Sequence, residues 1–262
     1  EEMGLQPEHS HHESGPGQNE VCFRYAPAVK SADNLNTFKS AVKAIAARNG
    51  LYASFMPKPL HDQSGNGLHV NMSLMRDGKN LFESPLTPDS EAGHFVAGIL
   101  AHARELTAFC NPVPNSYARL GANEAPLYIS WSRQNRSQLV RLPSASGDLC
   151  RVELRGPDPA GNPYLVIGLI LAAGLDGIAR KLPLAEPVNR NLFHPSAAAG
   201  LESLPRTLRE AITVAAQSDF IAAELPLALQ NKYFEYQTQL CHGYENAPDP
   251  AVWERTHGFL VI

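Results

Sequence analysis

The stretch Cys150-Arg151-Val152-Glu153-Leu154-Arg155 reads as a β-strand, because side chains on an extended backbone alternate between its two sides. Arg151, Glu153 and Arg155 then share one face, and Val152 and Leu154 the other. Two cations flank one carboxylate. Charges this close are costly to bury unpaired, which predicts a strand lining a wet cleft, where the carboxylate holds a metal and the guanidinium groups hold anions. The same alternation also fits the solvent face of an antiparallel sheet, so the surrounding sequence has to decide between them.

With 262 residues, 44% of them hydrophobic, the chain is long enough to bury a sizeable core. A formal charge of −4 argues against a general binder of nucleic acid or anionic membranes. A small metabolite is the better match, with local basic patches left to grip its phosphates. Cys22, Cys110, Cys150 and Cys241 are scattered without a CxxC pair, so neither a disulfide framework nor a zinc knuckle is indicated and reduced, cytoplasmic thiols are the expectation. No uninterrupted apolar run of membrane-spanning length and no signal sequence is read from the chain. Its start, Glu1-Glu2-Met3-Gly4-Leu5, carries neither an initiator methionine at position 1 nor a clear fold start, as expected of a piece of a longer protein.

Period-2 alternation marks a strand over Glu20–Ala26, after a Gly15-Pro16-Gly17 turn, and another over Leu68–Leu74. Leu51–Phe55 reads as a further strand. Ser31 is placed to cap a helix whose stripe Leu35, Phe38, Val42, Ile45 lies on a sheet and ends at Asn49-Gly50. Asp77-Gly78 predicts a hairpin turn, and a helix from near Asp89 turns Val96, Ile99, Leu100, Ala103 and Leu106 inward. Strands follow at Leu127–Trp131, Gln138–Leu142 and Cys150–Arg155. Pro163 suits a helix start, and Tyr164–Ala179, apolar almost all round, is expected to be a buried helix. Helices at Leu204–Glu224 and Leu227–Leu240 are separated by Pro226. Strands early and helices late give an α+β fold.

Across the glycine-proline turn, Glu13 and Glu20 come side by side, and adjacent carboxylates repel unless a cation sits between them. Oxygen ligands of this kind suit Mg²⁺ or Mn²⁺. Both glutamates, and His11 and His12 beside them, also fit an ordinary solvent-facing hairpin. His69 projects from the polar side of its strand, where imidazole and carboxylate can share a metal. The run Gln63-Ser64-Gly65-Asn66-Gly67 lets backbone approach a ligand, but it lacks the lysine ending of a phosphate-binding P-loop. Arg119, Arg133, Arg136 and Arg141 crowd one region with Arg151 and Arg155 behind. Carboxylates for metal and arginines for phosphate are the parts of a phosphoryl-transfer site.

These residues stand in motifs that resemble the glutamine synthetase family. His11-His12-Glu13-Ser14-Gly15-Pro16-Gly17-Gln18-Asn19-Glu20-Val21 is similar to the family's metal-binding hairpin. Met56-Pro57-Lys58-Pro59 with Gly65–Leu74 resembles its glycine loop and histidine strand, and Asn115–Leu120 its glutamate-binding arginine segment. Asn123-Glu124-Ala125-Pro126 resembles the glutamate flap, followed by Asn135–Pro143 and Arg151–Pro159 in the family's order.

The resemblance implies a ligase in which ATP phosphorylates the γ-carboxylate of glutamate and ammonia displaces the phosphate. It implies one metal at Glu13 and Glu20 and a second at His69 and Glu153. Arg136, Arg141 and Arg151 would contact ATP phosphates and the transferring group, and Arg119, Arg155 and the backbone of Gly65 would contact glutamate. Glu124 would close over the site and take a proton. The implied fold is a curved antiparallel sheet, a partial β-barrel, with helices packed outside, occupying residues 1–262 as one catalytic domain.

The chain also departs from the family. Ser64 stands where an asparagine is usual, Asn71 where many members have a second histidine, and Asp148-Leu149 where bacterial enzymes carry basic residues. Phe193 replaces the tyrosine that some members modify, so that regulation is not expected. A γ-glutamyl ligase using a polyamine or another amine shares all these motifs, and a non-catalytic relative would keep the fold. The family's N-terminal β-grasp domain, two further metal-binding glutamates and a loop from a neighbouring subunit are not in this chain, which alone is expected to be inactive or nearly so. The complete protein is expected to form a ring-shaped, dodecamer-like homo-oligomer.

Overall fold

A computed structural model describes residues 3–262, so the sequence reading of Glu1 and Glu2 lies outside the described residues. Strands β1 (Pro7–His12) and β2 (Asn19–Phe23) form an antiparallel hairpin that pairs His11 with Glu20. The turn is closed by Gln18 N–H donating to Gly15 O, with Pro16 and Gly17 in its two central places. Gly17 has φ +69°, a conformation that favours glycine. Helix α1 (Ala28–Arg48) follows. Ser31 lies inside its first turn and donates to Ala26 O rather than capping it. The helix packs on a later helix more than on a sheet, and Phe38 meets Phe23 and Phe55 edge to face while Ile45 is left exposed.

Leu51–Phe55 is not a strand. This segment is held instead by the chain terminus, with Phe55 N–H donating to Ile262 O and Tyr52 stacked on Phe259. Beyond the glycine loop, β3 (Val70–Met72) is followed by the two-residue strands β4 (Met75–Arg76) and β5 (Lys79–Asn80). Their turn puts Asp77 and Gly78 at φ 51° and 77°, the paired left-handed geometry of a tight hairpin. Helix α2 (Glu91–Ala101) starts at Ser90, whose hydroxyl accepts from Gly93 N–H. It breaks at His102 into α3 (Ala103–Cys110), so the single helix read from Asp89 is two. The short α4 (Ser116–Arg119) carries Arg119.

Strands β6 (Trp131–Arg133), β7 (Val140–Leu142) and β8 (Val152–Leu154) complete a sheet in the order β3-β8-β7-β6. β8 is antiparallel to both neighbours, but β6 and β7 are parallel. The sheet is therefore mixed, not antiparallel throughout. Between β6 and β7 the chain doubles back through Gln134 at φ 69°, and Val140 N–H donates to Ser130 O, which sets β7 alongside β6 in the same direction. Leu127–Ile129 lies outside the sheet and bonds to the Glu202–Leu204 segment.

Asn162 caps α5 (Pro163–Arg180), with Pro163 in the first turn. By length and composition this helix could cross a membrane. It is a core helix on one side only: Val166, Leu169, Ile170 and Ala173 are buried, whereas Leu171 and Leu175 face out. Then come α6 (Leu208–Ala216), α7 (Asp219–Glu224), α8 (Leu227–Glu245), which follows Pro226 as expected, and α9 (Pro250–Glu254). The main core joins Phe95, Ile99, Phe109, Leu139, Val140, Val152, Val166 and Ile170.

α2 crosses α5 so closely that only glycine fits. A Cβ on Gly98 would lie 2.1 Å from Ala173 O and 2.8 Å from Gly177 Cα. Gly98→Val is expected to cost at least ~1–3 kcal/mol by forcing the helices apart. Gly168, whose Cβ would meet nothing, gives the contrast: Gly168→Ala is expected to be stabilising by up to ~1 kcal/mol. Denaturant midpoints of the two variants check both.

Candidate active site

Glu153 is the middle residue of β8, which runs between β3 and β7. In register it faces Asn71 on one side and Arg141 on the other, and Arg141 pairs in turn with Ser132. This row of polar residues crosses the sheet. The carboxylate is 6% exposed, and its two oxygens face different partners. Oε2 lies 2.7 Å from Arg141 Nε and 3.2 Å from Arg155 Nη1, while Oε1 lies 3.7 Å from His69 Nδ1.

Two expectations change here. Val152, Glu153 and Leu154 are all buried, so β8 is a central strand and not the rim of a wet cleft. Nor do Arg151 and Arg155 flank Glu153 together: Arg151 Nε donates to Asn71 Oδ1 and its Nη1 to Leu149 O. Arg141 takes that place because strand pairing brings it opposite Glu153, a neighbour that alternation within β8 cannot reveal.

Arg155 is also buried, and its ε N–H has no hydrogen-bond partner. An orphaned guanidinium donor this deep fits an anionic ligand. Burial, together with Arg155, Arg119, Arg141 and Arg136, holds the His69 imidazole down at about 3. It is therefore neutral at ordinary pH, the form that ligates metal.

The hairpin gathers a second group. Single ligand atoms of His11, Glu13 and Glu20 lie within 4.8 Å of one another, and His11 Nε2 is 3.0 Å from Glu13 Oε1. Two carboxylates with an imidazole fit a divalent cation such as Mn²⁺ or Mg²⁺. His11 joins the two expected glutamates; the signal for it is its period-2 spacing from Glu13 and its place opposite Glu20.

Gln18 joins this hairpin to the glycine loop. Its Nε2 donates to Gly65 O at 3.0 Å and to Asn66 Oδ1 at 2.8 Å. Beneath the loop lies Arg119, buried and donating to Gly156 O and Arg155 O. Burial outweighs the nearby Asp158 and lowers its guanidinium to about 10. A Cβ on Gly65 would lie 2.5 Å from Pro57 O, and one on Gly67 2.7 Å from Arg119 Nη2. Gly65 needs glycine because it sits directly on backbone, and a side chain at Gly67 would displace the Arg119 guanidinium. Arg136 and Glu124 are exposed and, among the described residues, have no side-chain partner. Arg136 sits in a loop braced by Asn135 Oδ1, which accepts from Ser137 N–H and Oγ–H. Glu124 follows Asn123, which has φ 52°.

The low value at His69 has a consequence for stability. An imidazole lowered on folding contributes stability above the unfolded value of about 6.5 and loses it as pH falls from there towards 3. The thermal midpoint is expected to fall more steeply between pH 6.5 and 4.5 in the wild type than in His69→Gln, as checked by melts across that range.

Comparison with known proteins gives the family. A family model described as the glutamine synthetase catalytic domain matches residues 1–256. Glutamine synthetase of Methanosarcina mazei is 51% identical over 233 residues, which are 86% of this chain and 52% of that protein. The Staphylococcus aureus enzyme is 46% identical over 241 residues, 89% of this chain and 54% of that protein. Among solved structures, a GmaS–ADP complex has a TM-score of 0.86 at 35% identity and covers 98% of this chain and 60% of its own. GmaS without ligand matches with the same TM-score at 36% identity, over 97% of this chain and 59% of its own. The chain spans about half the length of the curated relatives it matches. It belongs to the glutamine synthetase family, in the part that forms the catalytic domain.

Proposed function

We propose that the complete protein carrying this chain is an ATP-dependent ligase that makes glutamine from glutamate and ammonia through a γ-glutamyl phosphate. The observation that carries this reading is the meeting of His69, Arg141 and Arg155 around Glu153, with a guanidinium donor of Arg155 left unpaired. Family membership supports it.

In the first step an oxygen of the glutamate γ-carboxylate bonds to the terminal phosphorus of ATP, and the bond to the bridging oxygen breaks as ADP leaves. In the second, ammonia nitrogen bonds to the acyl carbon, the carbon–oxygen bond to phosphate breaks, and phosphate leaves with its electrons. Glu124 would take the surplus proton. Divalent cations at the two carboxylate groups would neutralise phosphate charge. Arg136, Arg141 and Arg151 would hold the phosphates, and Arg155, Arg119 and Gly65 the amino acid. Arg119 acts from below, since its guanidinium donates to two backbone carbonyls. Keeping water out matters because an acyl phosphate hydrolyses readily.

On family grounds we also propose that the complete protein is a cytoplasmic, ring-forming homo-oligomer and that the isolated chain is inactive or nearly so. Ser64 bears on the acceptor, since it lies beside Gly65 where the family usually has asparagine; a γ-glutamyl ligase for a larger amine is the second reading.

The test is glutamate- and ATP-dependent phosphate release by the complete protein with Mg²⁺, comparing ammonium with a panel of amines. Ammonium is expected to support turnover, and Glu153→Ala to lower kcat/KM by roughly 100- to 1,000-fold, as expected for losing a preorganised charge. Turnover with only a larger amine would establish the second reading, and none with any acceptor would sink both.

A further inference from the structure

A polar chain runs from the C-terminal end of the fold to two parts of the proposed glutamate site. It begins at Glu254, the last residue of α9, which is buried. Asn115 donates to Glu254 Oε2 at 3.0 Å and grips the backbone of Lys58 on both sides: Lys58 N–H donates to Asn115 Oδ1 at 2.6 Å, and Asn115 Nδ2 donates to Lys58 O at 3.1 Å. Lys58, itself buried, extends its ammonium to Gln63 O. That carbonyl also accepts from Asn123 Nδ2 at 3.0 Å. Gln63 lies two residues before Gly65, and Asn123 immediately before Glu124.

We infer that Glu254 is a positioning residue for glutamate binding, acting through Asn115 and Lys58 to fix the glycine loop and the turn that carries Glu124. The inference rests on the reading of Gly65 and Glu124 as parts of the glutamate site.

The chemistry of the chain supports this. An asparagine amide rotates freely unless both ends are engaged, and here the donor end is held by a carboxylate, a stronger acceptor than a neutral group. With the amide fixed, Lys58 is held at its backbone and its ammonium is aimed at one carbonyl. Gln63 O then serves as a common anchor for loop and flap. The polypeptide after Glu254 reinforces the arrangement: Ser54 Oγ donates to Phe259 O, and Gly258 packs against Met56. Two further groups face this carboxylate: His61 Nε2 lies 3.6 Å away on the exposed side, and the Tyr244 hydroxyl of α8 bonds to it.

The test compares Glu254→Ala, Glu254→Gln and Asn115→Asp in the complete protein, with separate KM values for glutamate and ATP. Glu254→Ala is expected to raise the glutamate KM about tenfold, an effect of the size that loop misplacement produces, with the ATP KM within twofold. Glu254→Gln, which still offers an acceptor oxygen, is expected to recover most of the loss. Asn115→Asp, which sets two carboxylates against each other, is expected to repeat it. Hydrogen exchange is the second readout: backbone amides of residues 61–67 and 121–126 are expected to exchange faster in Glu254→Ala and as in wild type in Glu254→Gln. An unchanged glutamate KM, or glutamate and ATP KM rising together, would overturn the inference. Should the wild type show no glutamate-dependent turnover, the functional reading fails, and exchange alone decides the network: unchanged protection in both segments overturns it.

Discussion

Everything in this site is arranged around one buried negative charge. A carboxylate in the middle of a central strand is expensive unless its charge is met, and Glu153 is met by Arg141 from β7 and by Arg155, the residue just after its own strand. That solution overshoots. Two guanidinium groups face one carboxylate, with Arg119 buried close by, so the cluster holds more positive than negative charge. An anion from outside would restore the balance, and the unpaired ε N–H of Arg155 is a donor left for one. Fold stability and ligand chemistry thus meet in the same ion pairs. His69 is kept neutral first by its burial and then by the surrounding guanidinium groups, so its ring would be free to hold a metal beside Oε1 of Glu153.

The sequence makes legible what is local. Leu68–Leu74 and Glu20–Ala26 alternate with period 2, and β3 and β2 form inside them. Gly15-Pro16-Gly17 and Asp77-Gly78 make the turns their backbone freedom favours. What fails depends on distant partners. Leu51–Phe55 has strand-like composition, yet among the described residues no strand pairs with it and Ile262 bonds to it instead. The apolar run of α5 has no polar face to mark an outside, so nothing in it showed that Leu171 and Leu175 would be exposed. The parallel pairing of β6 and β7 arises from a short loop whose path depends on Gln134 adopting a left-handed conformation.

The site divides in the same way. Glu13, Glu20, His69 and Glu153 stand out as candidates because ligand types at hairpin or strand spacing carry their own signal. Their supports were not. Arg141 became a candidate only as one of several arginines, since register and not spacing pairs it with Glu153. Gln18 lay within a quoted motif, but its link to Gly65 spans 47 residues. Glu254 lies 139 residues from the asparagine it holds, and no local pattern connects them.

This division reflects what a substrate loop needs. Gly65 has no room for a side chain, because it lies against Pro57 O, and Gly67 sits on the Arg119 guanidinium. Glycine gives that close approach but makes the backbone loose. The rigidity has to come from elsewhere, and three anchors provide it: Gln18 from the hairpin, Leu68 N–H on Pro157 O beside β8, and Lys58 from below. Each ties the loop to a different part of the fold: the metal-fitting hairpin, the strand of Glu153, and the C-terminal helix. A loop built to let substrate touch backbone is thereby held in register with both carboxylate centres, and its geometry is set by residues that would never touch the substrate.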